Sequence, residues 1–270
     1  MQRYNILFKQ LKKKKEGCLV PFIVIGDPCF NTSLDIIDTL IIHGANALEL
    51  GFPFSDPLAD GPTIQKANLR SFSQNININK CFSFIKKIRK KYIDIPIGVL
   101  TYANIILGQE INYFFYQCAQ SEIDSVLIAD VPIEESKKFY YYAKKNGIDI
   151  IFVCPPNADD LTIKKICNQS SSFIYLLSRS GVTGTKNKAP IPIQNIVDAC
   201  QLLTNTPLLQ GFGISDVIQI KKALQTGING VICGSVIIEI IEKNIHNHYV
   251  MMKNIKNLIC SFKSATLINQ

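Results

Sequence analysis

Residues 19–44 read LVPFIVIGDPCFNTSLDIIDTLIIHG, and this stretch decides the architecture. Its first part, Leu19–Gly26, is a continuous apolar run of strand length without polar alternation. A strand covered on both faces reads this way, because neither side meets water, and parallel sheets are the usual case. Beyond the turn at Gly26-Asp27-Pro28 the period changes. Leu34, Ile37, Leu40 and Ile41 recur at helical spacing within Thr32–His43, and Gly44 follows where a C-cap glycine belongs. One strand, one turn and one amphipathic helix are complete within this stretch.

The unit repeats. Further apolar runs lie at Ala47–Phe52, Ile95–Tyr102, Ser125–Val131, Ile148–Cys154, Phe173–Ser178, Pro207–Phe212 and Gly230–Gly234, which makes eight. Helical patterns fall between them at Glu134–Lys145, Pro192–Leu203 and Asp216–Gln225, with Gly147 and Gly227 as stops and Ser215 as an expected N-cap. Eight β-then-α units in 270 residues predict an α/β protein, a (β/α)8 TIM barrel, with residues 1–270 forming a single domain. A doubly wound open sheet is the alternative. Its dinucleotide-binding form needs G-x-G-x-x-G after the first strand, where Gly26-Asp27-Pro28 stands instead. Residues 2–11 are expected to add an extra N-terminal helix, and residues 246–265 a closing one.

Composition narrows the classes of function. The net charge is +8, but Lys12 to Lys15 hold half of that number in one run, which reads as a solvated helix end. No basic face interleaved with aromatics is present for nucleic acid. A mildly positive field suits an anionic substrate. The nine cysteines form no C-x-x-C pair and several sit in apolar runs, so they read as reduced thiols of a cytoplasmic protein. The start of the chain has no long apolar region of a signal peptide, and no run reaches the ~18 apolar residues of a membrane span.

In such a barrel the chemistry sits at the C-terminal ends of the strands. Neither lysine nor histidine occurs in any of the eight runs, which counts against a Schiff-base aldolase and against a metal-assisted one. His246 and His248 lie near the closing helix, away from the strand ends. Carboxylates remain. Glu49 stands between Leu48 and Leu50, where desolvation raises a carboxyl pKa toward that of a neutral-pH acid or base. A buried glutamate held by an ion pair would read the same. Asp60 leaves the same strand within Ala59-Asp60-Gly61-Pro62, which by itself is turn chemistry. Gly211-Phe212-Gly213 and Gly234-Ser235 end the last two runs, the second opening a helical segment, and such turns offer backbone N–H groups to a phosphate. Glycine at a βα turn also occurs for backbone reasons alone. The loop from Arg179 to Pro190 is long and polar and reads as a lid over those turns. Phe22, Leu100, Tyr102, Leu127, Tyr175, Phe212 and Ile232 are available to line an apolar slot, although any one of them is also ordinary barrel packing.

The motifs LELGFPFSDPLADGP (Leu48–Pro62), LSRSGVTG (Leu177–Gly184), LQGFGIS (Leu209–Ser215), Gly26-Asp27-Pro28 and Cys154-Pro155-Pro156-Asn157-Ala158 resemble the tryptophan synthase α chain family, from the first helix almost to the end. The resemblance implies a lyase that splits indole-3-glycerol phosphate into indole and glyceraldehyde 3-phosphate. Glu49 then matches the catalytic acid/base and Asp60 the carboxylate that stabilises the positive indolenine nitrogen. Phe22, Leu100, Leu127, Tyr175 and Phe212 match the indole pocket. Gly184, Gly213, Gly234 and Ser235 match the phosphate cradle, and Thr183 the lid residue that meets Asp60. Asp56 and Pro57 match the region facing a β subunit, in an expected α2β2 heterotetramer. No metal and no cofactor is implied in this chain, and pyridoxal phosphate belongs to the β partner. Phe52, Cys29, Thr101 and Gly108 depart from the family pattern, and Phe52 is expected to crowd the mouth. Two other readings stand beside this one: a chain kept chiefly to activate its partner, and a different phosphate-binding barrel such as a sugar-phosphate isomerase.

Overall fold

Parallel pairing carries the chain around a ring. The computed structural model describes residues 2–177, 194–211 and 213–267. Within them run β1 (Cys18–Val24), β2 (Leu48–Gly51), β3 (Ile97–Thr101), β4 (Ser125–Ile128), β5 (Asp149–Ile150), β6 (Val153–Cys154), β7 (Ile174–Leu177), β8 (Leu208–Gly211) and β9 (Gly230–Cys233). Their order is β5-β4-β3-β2-β1-β9-β8-β7-β6, so the first strand pairs with the last. The two ends of that order, β5 and β6, are neighbours in the chain. Only Ile151 and Phe152 separate them. The Ile151 N–H donates to the Val126 carbonyl on the β4 side (2.9 Å), and the Phe152 carbonyl accepts from Tyr175 N–H on the β7 side (3.0 Å).

The expected fifth strand is therefore bent into two short ones, each serving one neighbour. Barrel closure staggers adjacent strands, and here the first half of the run meets β4 while the second meets β7. The sheet closes through this hinge as a TIM barrel.

Alternation sorts the side chains. Val20, Leu127, Ile151, Tyr175, Leu209 and Ile232 pack together inside the ring, and their chain neighbours Leu19, Val126, Ile150, Leu208 and Val231 pack outward against helices. Glu49 takes its place by the same rule, because Leu48 and Leu50 belong to the outer layer. Phe52 is also an outward position. Its ring meets Phe82 and Phe114 edge-on at 5.4 and 6.1 Å, so it fills the layer behind β2 and does not crowd the mouth.

The helix Gln2–Lys14 extends slightly beyond its expected span and plugs the floor of the ring. Tyr4 is buried there, its hydroxyl 3.2 Å from Ser125 Oγ. Beside it Arg89, from the helix Ile78–Lys91, is 5 % exposed and pairs with buried Asp124 at 2.9 Å. The same guanidinium donates to the carbonyls of Tyr92, Ile93, Ile95 and Glu122. Arg89 thus pins the starts of β3 and β4. Arg89→Met is expected to destabilise the fold by about 3 kcal/mol, because it strands several carbonyls and takes from buried Asp124 one of its two arginine partners, leaving Arg3 at 3.0 Å. Urea unfolding of the variant against wild type measures this, and an unchanged midpoint would make the pair dispensable.

Two helix readings change. Glu134–Lys145 is a 3-10 turn, Ile133–Glu135, followed by the helix Lys137–Lys145. The helix Val217–Gln225 is capped by Asp216, not Ser215. The Asp216 carboxylate accepts from Gln219 N–H, and Gln219 reaches back to Asp216 N–H in a capping box, which satisfies two helix-end donors at once. The closing helix is His248–Ala265, and His248 pairs with Asp35 across to the helix Phe30–Ile42. Among the described residues no helix is long and apolar enough to cross a membrane.

Candidate active site

A cavity of about 240 Å³ opens where the strands end. Strand β2 delivers Glu49 into it. Register sets Glu49 between Phe22 on β1 and Gly98 on β3, with Leu100 one step further up β3, opposite Gly51. The carboxyl is 6 % exposed and has no ion pair among the described residues. Burial, and then the negative charge of Asp60, push it up to about 8. Among the described residues no cation neutralises it.

Asp60 arrives on the loop that leaves β2. Its N–H donates to the Pro57 carbonyl at 3.0 Å, closing a turn, and Gly61 and Pro62 start the helix Pro62–Ser73. Proline at the first helical position loses only a donor that would have had no helical partner. The side chain folds inward, 5 % exposed, and lines the same cavity as Glu49. A plain turn aspartate would face water. Burial raises its carboxyl to about 6, while Tyr102 and Asn68 act in the opposite direction.

The helix carrying this turn is clamped at both sides. Arg70 grips Asp27, which is wholly buried beyond β1, with bonds of 2.6 and 2.9 Å. Lys66 meets Glu242 of the helix Ser235–Lys243 at 2.8 Å.

Between the carboxylates the walls are apolar. Phe22, Leu100, Leu127, Tyr175 and Ile232 line the cavity as expected. Phe22 fits because β2 ends in glycine and a glycine follows β9. A Cβ on Gly51 or Gly234 would come within 2.8 Å of its ring. Gly211 likewise leaves the space that the Tyr175 hydroxyl occupies. Burial, with Glu49 and Asp60 nearby, keeps the Tyr175 phenol neutral well above its usual range. Tyr102 does not line the slot. Its ring stacks on Phe54 at 4.9 Å and its hydroxyl turns to Asp60.

At the other end of the cavity lie Gly213, Gly234 and Ser235. Gly234 is the N-cap of the helix Ser235–Lys243, so free backbone N–H groups and the positive end of the helix dipole face the space.

Sequence reading missed part of the lining. Val153 and Leu177 follow from alternation on β6 and β7, each being two positions from a residue known to point inward or paired with one. Ala129 extends β4 by the same rule. Ala59, Ile64, Ile214 and Ser215 come from turns, where no period signals direction. Asp56 lies exposed on the rim, accepting from Ser55 Oγ at 2.5 Å, with Pro57 half-buried and Leu58 82 % exposed beside it. Phe212, Thr183 and Gly184, and the lid assigned to residues 179–190, lie outside the described residues.

The remaining departures are local. Cys29 is the N-cap of the helix Phe30–Ile42, its thiol donating to Thr32 Oγ1. Thr101 faces outward and is fully buried, and Gly108 ends the helix Ala103–Leu107. Among the described residues no group of three or more metal-ligating side chains is assembled. All nine cysteines are free.

The family model for the tryptophan synthase alpha chain matches residues 8–267. The tryptophan synthase alpha chain of Buchnera aphidicola subsp. Baizongia pistaciae is 54% identical, with 98% of this chain and 99% of that one covered. That of Photorhabdus laumondii is 49% identical over the same shares. Among solved structures, an α chain from the tryptophan synthase a2b2 complex of Pyrococcus furiosus superposes with a TM-score of 0.83 at 30% identity, covering 92% of this chain and 98% of that one.

Proposed function

The chain belongs to the tryptophan synthase alpha chain family, a lyase of tryptophan biosynthesis that acts with a beta subunit, and from that premise we propose which residues carry its chemistry. The substrate is indole-3-glycerol phosphate. Glu49, protonated, delivers its proton to the indole carbon that bears the glycerol side chain. Asp60, ionised, accepts from the ring N–H and stabilises the cation that results. The Glu49 carboxylate then takes the proton of the adjacent side-chain hydroxyl. The carbon–carbon bond breaks, its electrons return to the ring, and indole and glyceraldehyde 3-phosphate part.

The observation that carries this reading is the pair itself. Two buried carboxyls share one cavity, with no cation beside them among the described residues, and their environments set them apart at about 8 and about 6. Such a separation lets one act as acid while the other stays charged. The apolar walls suit a flat ring, and the turn at Gly234-Ser235, with Gly213, suits a phosphate. On the family match we assign Phe212 to the ring pocket, Gly184 to the phosphate cradle and Thr183 to the lid. Pyridoxal phosphate belongs to the beta subunit. The 270 residues act as one domain in the cytoplasm, in an α2β2 assembly like that of the Pyrococcus furiosus relative, with Asp56 and Pro57 on the partner-facing rim.

Indole release from indole-3-glycerol phosphate tests the proposal, by the chain alone and with a tryptophan synthase beta subunit. Slow release alone and faster release with the partner are expected. Folded protein inactive under both conditions would leave only a role as partner activator. The pH profile is a second check. Asp60 must be ionised, so kcat/KM falls as pH drops below about 6, and Glu49 must hold its proton, so it falls as pH rises above about 8. A flat profile across that range would remove the pair from the mechanism.

A further inference from the structure

We propose that Tyr102 is a positioning residue for the cleavage, its hydroxyl orienting the Asp60 carboxylate while Phe54 holds its ring in place. The inference rests on the role given to Asp60 above.

Tyr102 is 1 % exposed, and its buried hydroxyl falls short of full hydrogen-bond geometry, although it faces the Asp60 carboxylate closely enough to favour the charged form. A buried O–H with no acceptor is unfavourable, so its surroundings should contain the acceptor it is built for. The nearest candidate is Asp60, with the Ala59 backbone beside it. The tyrosine is fixed from two directions. Its ring stacks on Phe54 at 4.9 Å and 26° between planes. Its backbone is held through the next residue, where Ala103 N–H donates to Asp130 at 2.8 Å.

Phe54 does a second thing. Its N–H donates to Asn68 Oδ1 at 3.3 Å, which turns the Asn68 amide nitrogen toward Asp60. One residue on the loop after β2 therefore sets both donors that face the carboxylate. Among the described residues the charged or ionisable groups around Asp60 are Glu49 from β2, Tyr175 from β7 and Tyr102 after β3, with Asp130 behind Tyr102. Of these, Tyr102 combines a donor short of full hydrogen-bond geometry with a locked ring. Full hydrogen-bond geometry forms when the ring nitrogen becomes positive and the carboxylate is drawn to it.

Tyr102→Phe keeps the ring and its stack and removes only the donor. With wild type and variant each assayed with a beta subunit, kcat should fall about tenfold, the loss of one bond to a charged group, and KM should stay within about twofold. The acid limb near 6 should move to higher pH, since one donor favouring the charged form is gone. Phe54→Leu, which keeps the N–H to Asn68 but loses the stack, should shift the same limb in the same direction by less. An unchanged kcat and acid limb in Tyr102→Phe would overturn the assignment, and an unchanged limb in Phe54→Leu would overturn the ring lock. Wild type without indole release would instead remove the reaction itself.

Discussion

Glu49→Gln is expected to lower kcat for indole release by on the order of 10³-fold, because it removes the group proposed to protonate the indole carbon. KM should change little, since the side chain is close to isosteric and the apolar walls remain. The fold should survive, and more than survive. Glu49 has its carboxyl raised from 4.5 to about 8. A carboxyl raised on folding favours the native state fully while protonated, below the unfolded value, and that advantage is lost as pH rises toward the folded value. At pH 8 the native chain thus carries a cost that glutamine avoids. Denaturant unfolding at pH 8 should find the variant at least as stable as wild type, and at pH 4 the difference should vanish. A variant that cleaves at the wild-type rate would dismiss Glu49 as the acid. A variant that is inactive because it is unfolded would be recognised by the same unfolding curve.

Asp60→Asn should cost about 10²-fold in kcat, a magnitude typical of losing one electrostatic partner to a developing charge. Its effect on the pH profile is the sharper test. The acid limb near 6 should disappear with the group that produces it. The alkaline limb should move as well, to lower pH, because the Asp60 charge is one of the two causes that hold Glu49 high. A mere turn residue would move neither limb. Retention of both limbs with full activity would return Asp60 to that role.

Much of this was legible in the sequence because burial leaves a period behind. Continuous apolar runs announced strands covered on both faces, and Glu49 between two leucines announced an inward carboxyl. The fifth run was read as one strand because its apolar character is unbroken from Ile148 to Cys154. What splits it is a difference in partners on either side, and pairing geometry has no signature in composition. Phe52 was misread for a related reason. Its proximity to Glu49 in the chain suggested proximity in the site, whereas the odd spacing between them puts the two on opposite faces of β2. Ser215 and Asp216 are both good caps, and what decides between them is the Asp216 carboxylate accepting from Gln219 N–H, since the Gln219 amide oxygen takes the N–H groups of both. Tyr102 escaped the pocket because it is the N-cap of the helix Ala103–Leu107, where its ring stacks on Phe54 and leaves the line of β3.

The pairing of β1 with β9 has a consequence for how the molecule is made. Cys18 lies opposite Gly230, and Gly17 N–H donates to the Thr266 carbonyl, so the first of these strands is completed only by the ninth, which leaves the ribosome long after it. Through most of synthesis the nascent polypeptide is an open crescent whose leading edge offers unsatisfied backbone groups and apolar side chains. Its exposure to wrong partners lasts until β9 has emerged and paired. A chain cut short of Gly230 is therefore expected to be an adhesive fragment, not a slower enzyme.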